Sequence, residues 1–235
     1  MEEIKTTFLG AKVILISSSA LLIAALKNTL MSCLCRTLLV TLFAVVSFGQ
    51  SIKSGQYGTL SLAFDPATKK LTGYFEDHTG WDEQTKAPRF SCVFYIEGLV
   101  TGNTFEVSTY YPNDKFEDTI IGEIEIVNNQ TVKIKLPNDH GGCWNVQHFA
   151  DEPVAFNLDQ PASWKQIKFV TKNKSYFYSD NAEHKKQNSF LVKNDFVHID
   201  KRVGKWAFCT FFGDKKATKG WMKMADLNAG STKKQ

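Results

Sequence analysis

The sequence predicts an all-β protein from Gln50 onward. Short runs of alternating apolar and polar residues dominate this part of the chain, and turn residues separate them. In the stretches DTIIGEIEIV and TVKIKL, isoleucine, valine and leucine alternate with glutamate and lysine, which is typical of an antiparallel pair with one buried face. Helical periodicity is nearly absent. We therefore predict an antiparallel small barrel or sandwich for residues 50–172.

The individual strands follow in order along the chain. The first two apolar runs, YGTLSLAF and LTGYFED, are joined by DPATKK, in which Pro66 fixes φ and Asp65 can bond to the backbone that follows it. The run FSCVFYIEG then places Phe90, Cys92 and Phe94 on one face. The runs TFEVSTYY, DTIIGEIEIV, TVKIKL and SWKQIKFVT complete a set of about seven strands.

Residues 1–49 are predicted to be an export signal or a membrane segment. The run TLLVTLFAVVSF follows Arg36 and has the order of a secretory signal, with a short basic start, an apolar stretch and small residues. Cleavage before Gln50 and a translation start at Met31 fit this interpretation. The alternative is a membrane anchor formed by residues 8–26. We expect an exported protein, periplasmic or secreted, with no stable membrane insertion after removal of the signal.

Charge and cysteine content narrow the function classes. Removal of residues 1–49 takes away four of the 28 basic and two of the 24 acidic side chains, which leaves a formal charge of +2. No basic stripe stands out, so nucleic acid is a poor candidate partner. Three cysteines remain, Cys92, Cys143 and Cys209, and this odd number in an oxidising compartment predicts one disulfide and one buried thiol. Residues 228–235 are small, polar and basic, and we expect a disordered tail.

The pattern changes at TKNKS, and residues 173–227 predict a second compact β-domain. An aromatic strand, SYFYSD, precedes a polar loop, and FLVKNDFVHI gives two strands around a Lys-Asn-Asp turn. GKWAFCTFF opens with Gly-Lys-Trp, and KGWMKMADL combines a Gly-Trp pair with a terminal Asp-Leu. Over about residues 175–227 these segments resemble the bacterial SH3 (SH3b) domain family. The resemblance implies an SH3-like five-stranded barrel that is exported and binds rather than catalyses.

Four aromatic residues of this second domain are candidate ligand contacts: Tyr176, Tyr178, Trp206 and Trp221. Tyr176 and Tyr178 lie near a strand end beside a polar loop, where they would line a groove. For Trp206 and Trp221 core packing is the favoured role, and a place in a ligand groove is the alternative. The resemblance implies a cell-wall component or an envelope protein as partner, without a cofactor. We therefore expect an exported non-catalytic binding protein of the bacterial cell envelope that recognises a peptide, glycan or protein, with inhibition of a lytic enzyme as one version.

The stretch LPNDHGGCWNVQHFADEPVAF concentrates reactive side chains and supports three interpretations. In the first, Cys143 forms a disulfide with Cys92 and closes a loop of about 50 residues. Gly141 and Gly142 would allow the sharp bend that presents Cys143, and Trp144 would pack over the sulfur atoms. The alternative within this structural interpretation is a pair of buried free thiols.

In the second interpretation Cys143 is a nucleophile and His140 or His148 is its base. Cys-His peptidases associated with SH3b modules place this cysteine at the start of a helix, whereas here Pro153 and no amphipathic helix follow. The third interpretation is a zinc site formed by Asp139, His140, Cys143 and His148. Its spacing suits a closed zinc site poorly. We predict no metal and no catalytic residue, with a Cys/His- or zinc-dependent hydrolase as the alternative.

The last candidate is the polar stretch EDHTGWDEQTK, in which four acids flank Trp81. An acid pair beside an aromatic residue can serve glycoside hydrolysis, but a long polar hairpin tip has the same composition. An exposed tryptophan in such a loop is a typical anchor for a partner. We predict that Trp81 is a binding residue.

Overall fold

The computed structural model describes residues 51–112, 118–213 and 216–229. The described chain is all-β, as the alternating pattern predicted. The leader and residues 230–235 of the tail, with the predictions made for them, lie outside the described residues. The tail was predicted to begin at residue 228, but Asn228 is buried and its amide donates a 3.0 Å hydrogen bond to the carbonyl of Phe169, so the ordered chain extends past that point. Within the described ranges, the structure holds no helix of the length and apolarity that crossing a membrane requires.

Nine strands form one antiparallel sheet that curls into a half-barrel. In chain order they are β1 (Gly55–Tyr57), β2 (Leu60–Asp65), β3 (Lys70–Asp82), β4 (Ala87–Leu99), β5 (Thr104–Tyr110), β6 (Ile120–Ile126), β7 (Thr131–Lys135), β8 (Val154–Asn157) and β9 (Gln160–Pro161). Their order in the sheet is β8-β7-β6-β5-β4-β3-β2-β1-β9. Strands β1 to β8 therefore form a meander, and the short β9 adds to the edge beside β1.

The interior of the curled sheet follows from the alternation in the sequence. Ile124 pairs with Ile134 between β6 and β7, and both are buried. The neighbouring pair, Glu125 and Lys133, points to the other face, where the carboxylate and ammonium lie 3.8 Å apart. The main core collects buried side chains from most strands, among them Tyr57, Leu60, Leu62, Leu71, Phe75, Phe94, Ile96, Val107, Ile124, Ile134 and Phe149. This arrangement is the predicted apolar-in, charged-out pattern.

Six strands form a second sheet in the order β10-β13-β14-β15-β11-β12. They are β10 (Gln166–Phe169), β11 (Ser175–Tyr178), β12 (Lys186–Leu191), β13 (Phe196–Val203), β14 (Trp206–Phe212) and β15 (Ala217–Lys223). Three short 3-10 helices interrupt the described chain at Cys143–Asn145, Glu183–Lys185 and Met224–Asp226.

Strand β10 makes this sheet larger than the five strands expected. The run SWKQIKFVT was predicted to complete the first domain, but its residues Gln166–Phe169 pair antiparallel with β13. Ile167 and Phe169 are buried at the junction of the two sheets. The alternating residues of this run predicted an extended strand. Which strand it pairs with depends on contacts with residues about 30 positions further along the chain, and the local pattern does not specify them.

The two sheets meet on the outer face of β3 and β4. Tyr95 is fully buried there, and its hydroxyl donates a hydrogen bond of 2.8 Å to the carbonyl of Ile167. The amide of Ile167 donates in turn to Thr72 Oγ1 at 2.8 Å. The rings of Tyr74 and Phe196 stack in parallel at 4.0 Å. These contacts bury apolar side chains and give the buried polar groups hydrogen-bond partners. The second sheet therefore covers a face of the first sheet that solvent would otherwise contact.

Candidate functional site

The stretch with the densest chemistry is a disulfide-linked corner. Cys92 on β4 and Cys143 in the 3-10 helix Cys143–Asn145 are bonded to each other, and both are completely buried. This confirms the predicted pairing and leaves Cys209 as a buried free thiol. Burial, with a smaller effect from the charge of Asp200, raises the pKa of Cys209 well above its usual range. None of the three sulfur atoms is therefore a thiolate at neutral pH.

The bend before Cys143 depends on one of the two glycines. Gly142 has φ of +86°, in the left-handed region, and a Cβ atom there would lie 2.2 Å from the carbonyl oxygen of Ser91. Gly141 has open space around its Cα. The loop therefore approaches the backbone of β4 so closely at Gly142 that only glycine fits, and this approach brings the two sulfur atoms together.

The histidines of this corner have structural contacts. The ring of His140 stacks on Phe94 at 4.9 Å, and its Nε2 lies 2.8 Å from Thr109 Oγ1. Burial lowers the pKa of His140 to about 4, against a smaller opposing effect of Asp139, so the ring is neutral at pH 7. The Nδ1 atom of His148 lies 3.4 Å from Asp151 Oδ2. A base for Cys143 is therefore not assembled here, since the sulfur is in a disulfide and His140 faces Thr109.

The residues considered for zinc do not converge either. One oxygen of Asp139 accepts hydrogen bonds from the amides of Phe149 and Ala150, at 2.9 and 3.1 Å. This carboxylate therefore closes the loop that precedes β8. Within residues 51–112, 118–213 and 216–229, no group of three or more histidine, cysteine or acidic side chains is arranged to hold a metal ion.

The corner instead carries three exposed aromatic side chains, which we call the tryptophan surface: Trp81, Phe90 and Trp144. Trp81 exposes 60%, Phe90 40% and Trp144 63% of its surface. Trp144 was expected to pack over the sulfur atoms, but it points to solvent and contacts His148 at a ring distance of 4.6 Å. The sulfur atoms are covered by the core, so no shield from Trp144 is needed.

The surface is formed because β3 and β4 extend beyond the core. Each strand has 13 residues, and their register pairs Thr79 with Phe90 and Trp81 with Pro88. The hydroxyl of Thr79 donates a 2.8 Å hydrogen bond to the carbonyl of Asn145, next to Trp144. The hairpin arm and the disulfide loop are therefore tied together twice, once by Cys92–Cys143 and once by this hydrogen bond.

The acids near Trp81 stabilise the hairpin tip. Asp82 accepts hydrogen bonds from the amides of Gln84 and Thr85, at 2.8 and 3.2 Å, and from Arg89 at 3.0 and 3.1 Å. These bonds, the backbone ones first, lower the pKa of Asp82. An acid with a lowered pKa is ionised at neutral pH and is a poor proton donor, so Asp82 does not fit the general acid of a glycosidase.

In the second sheet, the predicted contact residues separate into two groups. Tyr178 and Trp206 are buried and pack edge to face at 4.8 Å, so they are core residues rather than groove residues. Trp221 is half-buried and packs against Phe208 at 5.5 Å. Tyr176 is also half-buried, and its ring lies 5.7 Å from the exposed ring of Phe190.

Two lysines complete the surface around Tyr176. The ammonium of Lys186 lies 3.6 Å from the ring centre of Tyr176, and that of Lys174 lies 4.0 Å from the ring centre of Phe190. We call these four residues the aromatic-lysine surface. Its rings and charges lie close together on β11, β12 and the preceding loop, as expected for cation-π pairs.

Among the described residues, the exposure of five aromatic side chains was missed by the sequence analysis: Phe90, Tyr111, Trp144, Phe190 and Phe212. Phe90 lies in an alternating run that predicts burial, and it is exposed because the start of β4 extends beyond the core. Phe190 is exposed because it points away from the core, on the face opposite its buried neighbour Leu191. Trp144 directly follows the buried Cys143, and this position in the sequence does not indicate whether the tryptophan side chain is exposed.

No family model, curated protein or solved structure matches this chain.

Proposed function

We propose that this protein is an exported, non-catalytic binding protein of the bacterial cell envelope. The disulfide supports export, because such bonds form and persist in oxidising compartments. The signal-like leader supports the same location. The resemblance of residues 173–227 to the SH3b family supports a binding role.

The observation that carries the binding role is the tryptophan surface. Large exposed aromatic side chains are unfavourable in water unless they are covered by a partner, and tryptophan is enriched among residues that dominate binding energy. Here the disulfide and the Thr79–Asn145 hydrogen bond hold the segments that carry Trp81 and Trp144. A surface that is ordered before binding loses less conformational entropy when a partner docks.

The aromatic-lysine surface provides a second contact area within the SH3b-like part. Tyr176 and Phe190 offer apolar rings, while Lys174 and Lys186 add two positive charges beside them. This combination suits a peptide or glycan that has apolar faces and carboxylate groups. The part of the chain that resembles SH3b would therefore recognise a peptide, glycan or protein at the envelope.

A related version of the proposal is an inhibitor of a lytic enzyme. Trp81 and Phe90 are located on the hairpin arm that β3 and β4 form beyond the core, a shape that suits insertion into a concave partner site. This version requires a tight one-to-one complex with a protein and little affinity for the wall itself.

Two assays test the proposal. The first is co-sedimentation of the protein with purified cell walls of several types. The second is analytical ultracentrifugation of the protein mixed with each of a panel of purified lytic glycosidases, amidases and peptidases. Loss of the tryptophan surface in Trp81→Ala and Trp144→Ala is expected to weaken binding at least about tenfold in each case. Tyr176→Ala and Phe190→Ala provide matched variants in the second sheet. A wall ligand of the SH3b-like part is expected to respond to the second pair, and an enzyme partner to the first.

The absence of retention by every wall type, together with the absence of a complex with every enzyme, would count against envelope binding. Hydrolysis of wall material by the oxidised protein would contradict the non-catalytic role directly.

A further inference from the structure

A cavity of about 480 Å³ lies where β3, β10 and β13 meet the 3-10 helix Met224–Asp226 and the residues that follow it. Its volume is in the range of small-molecule sites, and it is distinct from the two surfaces described above. Its wall is basic, since no aspartate or glutamate is among the described residues that line it. The basic side chains of the wall are those of Lys70, Lys168 and Arg202.

Lys168, on β10, is the unusual residue of this wall. Only 6% of its surface is exposed, and its Nζ atom donates a hydrogen bond to the carbonyl of Asn228, which is a neutral partner. Burial, followed by the charge of Lys70, lowers the pKa of Lys168 to about 8, so the ammonium is still mostly charged at pH 7. A buried ammonium costs free energy unless an opposite charge compensates it, and a methionine would line the same wall without this cost.

The charges around Lys168 do not balance within the described cluster. Glu97 is the carboxylate whose charge acts on Lys168 in the favourable direction, and other groups share it. Its Oε2 atom lies 3.0 Å from Lys70 Nζ, and its Oε1 atom accepts a 2.8 Å hydrogen bond from the hydroxyl of Tyr110. The three basic side chains of the wall and this one carboxylate therefore leave an excess of two positive charges among the four groups.

The wall also keeps hydrogen-bond donors that a ligand can reach. The side chain of Lys70 is 30% exposed and Arg202 is exposed, so both can be approached from solvent. Arg202 Nε donates a 3.0 Å hydrogen bond to the carbonyl of Gly204, which uses one of the five N–H groups of the guanidinium. Carboxylate and phosphate oxygens are strong acceptors for ammonium and guanidinium donors, whereas a cation would be repelled here.

We propose that this cavity binds a small organic oxyanion, a carboxylate or phosphate on a compact apolar body, with its charged oxygens held between Lys70, Lys168 and Arg202. Met224 and Leu227, which also line the cavity, contact the apolar body. The bound anion compensates the excess positive charge of the wall. This inference is independent of the proposed binding role at the envelope, since it uses neither the tryptophan surface nor the aromatic-lysine surface.

Three probes test the proposal: benzoate, phenyl phosphate and benzamide, the last being a neutral molecule with nearly the shape of benzoate. Each is titrated at low salt into the purified protein with its disulfide intact, and binding is followed by calorimetry. At least one anion is expected to bind at least about tenfold more tightly than benzamide, and the tighter of the two identifies the ligand as a carboxylate or a phosphate.

A second readout reports on the site itself. The pKa of Lys168 is followed through the ¹³C signal of its Cε atom, which is assigned by its loss in Lys168→Met. This pKa is expected to rise above about 8 when the anion is bound, because an adjacent negative charge favours the ammonium. Saturation with benzamide is expected to leave it unchanged.

Two variants and one matched control locate the site. Lys168→Met removes the buried ammonium, and Arg202→Gln removes a charge at an exposed position, so the second variant does not depend on core packing. Both are expected to weaken binding of the tighter anion at least about fivefold. Lys201→Gln removes the same charge from the neighbouring position, where the ammonium lies 5.5 and 5.2 Å from the rings of Phe208 and Trp221, and it is expected to leave the affinity within about twofold. Equal binding of the three probes, an unchanged pKa of Lys168 at saturation, or equal effects of Arg202→Gln and Lys201→Gln would overturn the proposal.

Discussion

Opening of the Cys92–Cys143 bond is expected to lower the free energy of unfolding by about 4 kcal/mol. The two cysteines are 51 residues apart in the sequence, and the chain-entropy relation for a loop of this length gives about 4 kcal/mol at 25 °C. The value is large compared with the roughly 5–15 kcal/mol that stabilises a typical native domain. For a urea dependence of about 2 kcal/mol per molar, the unfolding midpoint would fall by about 2 M.

The assay is equilibrium unfolding in urea, followed by tryptophan fluorescence, with and without a phosphine reductant. Cys209→Ala is the matched control, because it removes the free thiol and keeps the disulfide, so its midpoint should respond to the reductant as the unchanged protein does. The variant Cys92→Ala/Cys143→Ala should no longer respond to the reductant. A midpoint that moves by less than about 0.3 M on reduction would refute the loop-closure argument.

Further expectations concern three other features. The pKa values of His140 and His198 are lowered to about 4 in the folded protein, so the unfolded chain binds more protons between pH 6.5 and 4. The free energy of unfolding should therefore fall as the pH is lowered through this window, by up to about 3 kcal/mol per histidine. Urea midpoints measured at several pH values should show a smaller loss in His198→Phe. Burial, and to a smaller extent the charges of nearby cations, lower the pKa of Lys168 to about 8, so the free energy of unfolding should rise between pH 8 and 10.5. In the same assay, Lys168→Met should be more stable than the unchanged protein by about 1–3 kcal/mol at pH 7, and this gain should disappear above pH 10.5. Gly142→Ala should destabilise by at least about 2 kcal/mol in thermal unfolding, and Gly141→Ala by less than about 0.5 kcal/mol; equal effects would contradict the close approach to β4.

The local pattern of the sequence predicted most of the strands, because strand side chains alternate with a period of two, whereas the short β8 and β9 were not predicted. The runs that became β6 and β7 show this directly, since Ile124 and Ile134 are buried while Glu125 and Lys133 face outward. The pairing of Cys92 with Cys143 was also accessible from the sequence. Only three cysteines follow the leader, and one of them lies in a different part of the chain.

The residues of the candidate site could be predicted only in part from the sequence. Trp81 was identified because a tryptophan among polar residues at a hairpin tip is exposed by its surroundings. Trp144 was assigned to the wrong environment, because its exposure depends on where the disulfide loop lies against β4 rather than on its neighbours in the sequence. Tyr178 and Trp206 were considered as contacts but are buried, since an aromatic residue in a strand has the same pattern whether it faces the core or a groove.

The sequence by itself determined that this chain is all-β and where most of its strands lie, because these depend on short periodicities, and it favoured the Cys92–Cys143 pair among several alternatives. The tertiary structure alone decided that Gln166–Phe169 joins the second sheet and that Tyr74 stacks on Phe196. It also decided that the ring of His198 is enclosed by Trp164, Phe212 and Tyr74. These features bring together residues that are about 30 to 120 positions apart, and such contacts form only when two whole sheets dock, which no local pattern encodes.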